Sequence, residues 1–318
     1  MDKKAEIMKR PLVSVIVPNY NYARFLDERM QSILTQTYQN FEIIILDDCS
    51  KDNSRDVIEK YRGNPHVSCI VYNEVNSGSP FKQWNKGFII AKGELIWIAE
   101  ADDKCKNNQL EVLVQEFEKD DNLSLAFVRT VAFNDNGHEW IYYGNDVKND
   151  GTIHLDGRAF VKKYMSSGSY VTNASSTLFK RSVISRVGDE YTTFKASGDV
   201  LFWIQVAITG NVTIVNKPLN YCRRHGTNVT ESFSESGNGI QAIETKRIKD
   251  YLRDNNLISS WKYEIVCAGY IYYNILNHNF SQPEVKEQLL SLFSYNLFKK
   301  IVVFLLSLKI RISRLLKG

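Results

Sequence analysis

The sequence predicts an α/β fold, a mostly parallel central sheet followed by a helical C-terminal extension, and three observations lead there. Over roughly the first 130 residues, short apolar runs alternate with amphipathic stretches. Two of those runs end in clusters of acids, Asp47-Asp48 and Glu100-Ala101-Asp102-Asp103. Beyond Gly237 the pattern turns helical. Short β-branched and aromatic runs read as strands buried on both faces of a parallel sheet, and strand–helix alternation builds a doubly wound sheet with right-handed crossovers.

The first strand is expected over Leu12–Val17, a run too short for the apolar region of a signal peptide. Further strands follow at Phe41–Leu46, Val67–Tyr72, Glu94–Ala99 and Ser124–Phe133. Helices are expected between them at Arg24–Thr35, Ser54–Tyr61, Phe81–Ala91 and Gln109–Glu118, with Asp52-Asn53-Ser54 offering an N-cap and Gly93 closing the third. From Asn134 to Gly168 the pattern loosens around turns at Asn136-Gly137, Asp150-Gly151 and Asp156-Gly157. Ser175–Phe179 reads as a strand, Val200–Thr209 as a helix and Val212–Val215 as a short strand. The C-terminal helices are expected at Ile240–Asn255, Ser260–Asn277, Pro283–Phe293 and Leu297–Leu316, which divides the chain into a catalytic domain over 1–235 and a helical region over 236–318.

Bulk properties narrow the function classes. A chain of 318 residues, 43% hydrophobic, is long enough for one large core with an appendage. Its five cysteines (Cys49, Cys69, Cys105, Cys222, Cys267) are odd in number and show no CxxC spacing, which excludes a disulfide framework or a zinc knuckle and suits a reducing cytosol. The net charge of +4 hides an asymmetry, because the stretch from Asn296 to Gly318 carries six basic residues and no acid, leaving −2 on the rest. A basic end on a mildly acidic body points to an anionic surface partner for the tail and away from nucleic acid, whose binders carry their basic residues across the folded domain.

The acid clusters carry the chemistry. Ligands of open α/β sheets bind beyond the carboxyl ends of strands, and carboxylates crowded there repel one another unless a cation offsets them. Hard carboxylate oxygens match Mg²⁺ or Mn²⁺, which also bind diphosphate. Asp47-Asp48-Cys49-Ser50-Lys51-Asp52 taken alone also fits a strand end followed by a helix cap. Three acids within four residues at Glu100–Asp103 are harder to explain without a cation.

Taken in order, Pro18-Asn19-Tyr20-Asn21, Ser32–Tyr38, Asp47-Asp48-Cys49-Ser50, Asn76 to Gly87 and Ala99 to Asp103 resemble the family 2 glycosyltransferases over roughly residues 11 to 230. The resemblance implies a GT-A fold and transfer of a sugar from a nucleotide donor with inversion at the anomeric carbon. Carried over, it puts Pro18 and Tyr20 on the wall of the base pocket. Asp48 meets a uracil or thymine ring with Asp47 beside it, and Asn76 to Lys86 line the nucleotide cleft. Asp102 matches the last acid of the family's DxD motif and Asp103 the acid that often follows, both metal-binding expectations. Glu100 stands where the family has its first Asp.

Asp199, in Ala196-Ser197-Gly198-Asp199, shares a helix face with Trp203 and by itself reads as an N-cap. The resemblance makes it the general base that takes the acceptor's hydroxyl proton. Tyr221-Cys222-Arg223-Arg224-His225-Gly226-Thr227-Asn228 resembles the family's Arg-x-His segment over the diphosphate. Arg223 or Arg224 would neutralise phosphate and His225 would contact metal or phosphate.

The tail mixes Ile301–Leu308, eight uncharged residues, with flanking lysines and arginines, well short of the roughly 20 residues that span a bilayer. Its apolar face either lies on an anionic leaflet or packs on the preceding helices or another subunit, as in a homo-oligomer. The expectation is a Mn²⁺- or Mg²⁺-dependent inverting glycosyltransferase using a UDP- or dTDP-sugar and a glycan or lipid-linked acceptor. It would sit on the cytoplasmic face of a bacterial membrane and make surface polysaccharide. A sugar nucleotidyltransferase and a non-catalytic glycan-binding or scaffold protein are the alternatives.

Overall fold

The protein, a computed structural model, is described over residues 10–142, 151–225, 239–277, 280 and 283–315. The N-terminal Met1–Lys4, Asp150 of one expected turn, Gly226–Asn228, Leu316 and Lys317 lie outside the described residues. Two compact units divide the chain, the first formed by Met1–Gly157, Val171–Gly188 and Gln205–Arg224, the second by Arg158–Tyr170, Asp189–Ile204 and His225–Gly318.

The first unit holds a ten-stranded mixed sheet. Its parallel half is β1 (Val13–Asn19), β2 (Phe41–Asp47), β3 (Val67–Tyr72) and β4 (Leu95–Ile98), in spatial order β3-β2-β1-β4. Every residue of β1, β2 and β4 is buried, as the continuous apolar runs require of strands covered on both faces. Helices α1 (Ala23–Leu34), α2 (Ser54–Glu59), α3 (Pro80–Ile90) and, after the two-residue strand β5 (Lys104–Cys105), α4 (Gln109–Lys119) fall where the amphipathic stretches are. On one face Leu26, Met30 and Ile33 of α1 and Leu110, Leu113 and Val114 of α4 pack with Val13, Val15, Val17, Ile43 and Trp97. On the other face α3 lies so close to β1 that a Cβ at Gly87 would meet the Ile16 side chain at 2.6 Å.

The sheet continues through β6 (Leu123–Asn134), β7 (Glu139–Tyr142), β8 (Thr152–Asp156), β9 (Thr177–Lys180) and β10 (Asn211–Arg224), while the helices α5 (Gly157–Phe160) and α6 (Gly198–Ala207) have most of their residues in the second unit. β9 runs antiparallel between β4 and β6, and β10 pairs in parallel with β6 and antiparallel with β5 and β8. Here the structure departs from expectation. The segment read as a four-residue strand is a fourteen-residue one, and the loose region after Asn134 contributes two edge strands.

In the second unit the helices are α7 (Ile240–Asp254), α8 (Ser260–Tyr270, continuing as a π-helix through Leu276), α9 (Pro283–Leu292) and α10 (Leu297–Leu315). Lys299 of α10 is buried and pairs with Glu264 of α8 at 2.7 Å, and Tyr270 stacks on Phe293. Among the described residues no single helix is long and apolar enough to cross a membrane. Glu284–Leu292 and Leu297–Lys309 meet that test only as a pair bent by 111°. All five cysteines are free thiols.

Candidate active site

Parallel pairing of β1 with β2 sets Pro18 beside Leu46 and Asn19 beside Asp47 at the carboxyl ends of adjacent strands. Asp47 is buried and closes its own turn. It accepts hydrogen bonds from the Asn19 amide at 2.7 Å and from the Ser50 hydroxyl and N–H at 2.5 and 3.0 Å. Cys49 and Asn21 both take positive φ, which folds the two strand ends into neighbouring tight turns linked by Lys51 N–H to Asn21 Oδ1. The expected cap before α2 takes a different form: Asp52 Oδ1 accepts from Ser54 N–H while Oδ2 accepts from Ala23 N–H, so Asp52 joins two loops.

Asp48 lies at the centre of a buried hydrogen-bond cluster. Its Oδ1 accepts from Asn73 Nδ2, Ser77 N–H and Gln83 Nε2 at 2.6, 2.9 and 2.9 Å, and its Oδ2 accepts from the Ser77 hydroxyl at 2.7 Å. The Asn76 amide donates to the Asp48 carbonyl, and Lys86 reaches Asn73 Oδ1. Two buried acceptors of this cluster, Asn19 Oδ1 and Gln83 Oε1, have no hydrogen-bond partner. Buried acceptors in that state are costly to the fold. Pro18 is buried and Tyr20 exposed at the same strand end.

The acidic turn follows β4. Trp84 Nε1 donates to Glu100 at 2.9 Å, and Ser175 joins the turn's two ends, accepting at its hydroxyl from Glu100 N–H and donating to Asp103 Oδ2 at 2.7 Å. Asp103 also accepts from the Asn173 amide at 2.9 Å and from Arg223 N–H at 3.1 Å. Gln83 and Trp84 are consecutive residues of α3. One helix therefore ties the Asp48 cluster to the acidic turn.

Burial, then the charges of Asp102 and Asp103, pushes the Glu100 carboxyl up to about 8. Burial, then Asp102, pushes Asp103 up to about 6, with the fully buried Arg29 opposing both shifts. The Tyr22 phenol is also raised, by burial and then by the same acids. A folded chain that holds these protons binds more of them than the unfolded chain once pH exceeds the ordinary carboxyl range. The stability they contribute is complete below about 4.5 and is lost as pH climbs through about 8. The melting temperature of the ligand-free chain is therefore expected to fall between pH 5 and 8, and Glu100→Gln to flatten that slope; equal slopes by calorimetry would contradict it.

Arg223 or Arg224 was expected at the diphosphate. The long β10 instead carries it to the back of the acidic turn. Its guanidinium lies between Phe25 and Phe133 (4.5 and 4.4 Å) and donates to the Asp102 carbonyl at 3.1 Å, to Asp135 at 3.0 Å and to Glu28. Arg224, half-buried, ends the strand opposite Asn134, and His225, also half-buried, follows it in the second unit.

Among the described residues no three His, Cys, Asp or Glu side chains gather into a metal cage. The donor set is hard oxygen only. Mg²⁺ is commonly held by one or two carboxylates together with substrate phosphates, and an Asp102 carboxylate beside a crowded pair of acids fits that mode.

Asp199 belongs to the second unit, in the first turn of α6, one helical turn before the buried Trp203. It is half-buried, and its carboxyl is pushed up to about 6, chiefly by burial. The loop leading to it holds three backbone N–H groups, of Lys195, Ala196 and Ser197, that all donate to the carboxylate of Glu244. Gln83 falls within the expected cleft segment, but Glu244, Asn73, Asn173 and Ser175 were not expected at the site, because each acts on a residue distant in the chain.

A family model described as Glycosyl transferase family 2 matches residues 14–188. Glycosyltransferase GlyG of Streptococcus pneumoniae is 40% identical over 110 residues, 35% of this chain, and the match spans only 36% of that relative's length. Among solved structures, Staphylococcus aureus TarS residues 1–349 in complex with UDP-GlcNAc aligns with a TM-score of 0.67 at 17% identity, covering 88% of this chain and 79% of that one. A Pyrobaculum calidifontis mannosyltransferase in complex with GDP-Man and Mn²⁺ aligns with a TM-score of 0.55 at 16% identity, over 96% and 81%. These neighbours carry the GT-A architecture expected above.

Proposed function

Because the chain belongs to glycosyltransferase family 2, we propose that it transfers a sugar, with inversion, from a UDP- or dTDP-sugar to a hydroxyl of a glycan or lipid-linked acceptor. The observation that supports this most is the helix α3, whose adjacent Gln83 and Trp84 join the Asp48 cluster to the acidic turn and so present a base site and a diphosphate site together. The TarS neighbour binds UDP-GlcNAc, in keeping with a pyrimidine donor.

In this reading Pro18 and Tyr20 wall the base, and Asp48 receives its ring N–H. Asn76 and Lys86 line the cleft, and Asp47 holds its floor. Asp102 holds the cation, with Asp103 and Glu100 shaping the turn around it. When bound, Mn²⁺ or Mg²⁺ neutralises the charge that develops on the departing nucleoside diphosphate. Arg223 secures the turn from behind through the Asp102 carbonyl, leaving Arg224 and His225 to face the diphosphate. Asp199 takes the acceptor's hydroxyl proton as the oxygen bonds to the anomeric carbon.

A thermal-shift screen tests the donor class. UDP or dTDP with Mn²⁺ is expected to stabilise the chain by about 3 kcal/mol at a hundredfold excess over Kd, and GDP and ADP far less. Equal shifts for all four nucleotides would overturn the pyrimidine reading. Release of pyrophosphate, not nucleoside diphosphate, on turnover would favour a nucleotidyltransferase. The acceptor side rests on α10, where Leu297, Ile301, Phe304, Leu305 and Leu308 are exposed along one stripe beside Lys300 and Lys309. We place that stripe on the anionic inner leaflet, where a lipid-linked acceptor would be carried. Unchanged co-sedimentation with anionic vesicles after deletion beyond Asn296 would refute it.

A further inference from the structure

We infer that α7 is the positioning helix of the general base, and that Glu244 and Arg247 on one of its faces hold the loop that delivers Asp199. This inference rests on the assignment of Asp199 above. The loop Glu190–Ser197 has little regular structure of its own, only the 3₁₀ turn Glu190–Thr193. Its last three residues before Gly198-Asp199 nevertheless direct consecutive N–H groups at one side chain. Glu244 Oε2 accepts from Ala196 N–H at 2.9 Å and Ser197 N–H at 2.8 Å, and Oε1 accepts from Lys195 N–H.

A carboxylate that accepts several backbone N–H groups is a strong, charge-assisted clamp. Glu244 is itself 4% exposed, in a helix whose other polar residues are mostly half-buried. Burying a carboxylate is unfavourable unless it is fully hydrogen-bonded, and here the loop backbone supplies the donors.

Arg247, three residues on, shares that helix face. It donates to Glu190 at 2.7 Å and to the Thr193 hydroxyl at 3.1 Å, and its guanidinium sits 4.1 Å from the centroid of the fully buried Phe194. Two side chains of opposite charge therefore fasten both ends of the eight-residue loop. A base displaced by about 1 Å can lose on the order of a hundredfold in rate, so the orientation of this loop acts on catalysis through Asp199. Glu244 and Arg247 are positioning residues and need not touch substrate.

The test uses the full chain, amide hydrogen exchange, and UDP release from whichever UDP-sugar the wild-type chain turns over fastest. In Glu244→Ala, exchange across residues 195–197 is expected to rise more than tenfold while exchange at Asp47-Asp48 stays unchanged. Turnover per UDP-binding site is expected to fall about a hundredfold with donor KM within twofold of wild type. Glu244→Gln keeps one carbonyl oxygen for Ala196 and Ser197 and should recover about tenfold of that loss, which general destabilisation would not produce.

Unchanged exchange, or turnover within threefold of wild type in Glu244→Ala, overturns the inference. If Glu244→Ala does not fold, Glu244→Gln and Arg247→Ala decide it, each expected to lose about tenfold in kcat at constant KM. An active Asp199→Asn would refute the assignment of the base. An inactive Asp199→Asn beside a fully active Glu244→Ala would refute only the role of α7.

Discussion

Asparagine at position 102 is expected to lower turnover by about a thousandfold while leaving the fold intact. The substitution is isosteric, and the backbone carbonyl that receives Arg223 is unaffected. What disappears is one carboxylate from a turn of three acids. In the proposed reading the cation would keep a neutral amide oxygen but lose a charged ligand where the leaving diphosphate would accumulate charge, and interactions aimed at developing charge are the ones a transition state depends on.

Stability should move the opposite way. Asp102 is the first neighbouring charge that raises both Glu100 and Asp103. Removing it relaxes both carboxyls toward their ordinary range, so the ligand-free variant should melt higher than wild type near pH 8. A variant that melts higher and turns over slowly matches the assignment. Turnover within tenfold of wild type at saturating Mn²⁺ would refute it.

Asp199→Asn is expected to lower kcat by about 10²–10⁴, the usual range for loss of a positioned base, with donor affinity preserved. The wild-type carboxyl, raised to about 6 by burial, becomes a competent base only as pH rises through that value, so kcat should climb across the same interval. The asparagine variant should lack that rise. Retention of a pH-dependent kcat in the variant, measured at saturating donor, would transfer the base role elsewhere.

Most of the fold was legible because its parallel half is built from uninterrupted apolar runs, and these have few alternatives to a strand buried on both faces. The strand ends at Asp47 and Ile98 and the four C-terminal helices lie close to their expected places. β10 was not legible. The expected strand ended at Val215, yet irregular pairing with β6 at Val215, Pro218 and Asn220 lets the strand pass Pro218 and continue to Arg224. That continuation is what carries Arg223 behind the acidic turn. A motif alone cannot say how two adjacent arginines point, whereas successive side chains of a strand take opposite faces.

The candidate site divides in the same way. Asp47, Asp48, Glu100, Asp102 and Asp103 were visible because acids at strand ends are chemically conspicuous. Their hydrogen-bond partners were invisible, since Asn73, Asn173 and Ser175 are ordinary loop residues brought in over long sequence separations. Glu244 in particular has the sequence character of a solvated helix residue.

The shared anchorage on α3 has a consequence for what the cleft can measure. Gln83 and Trp84 are separated by one helical step of about 1.5 Å, so the Asp48 cluster and the acidic turn cannot drift apart as independent loops would. In the proposed reading the pair would fix the spacing between the base contact and the acids. On that reading a nucleoside diphosphate is expected to stabilise the chain more than the corresponding monophosphate at equal concentration.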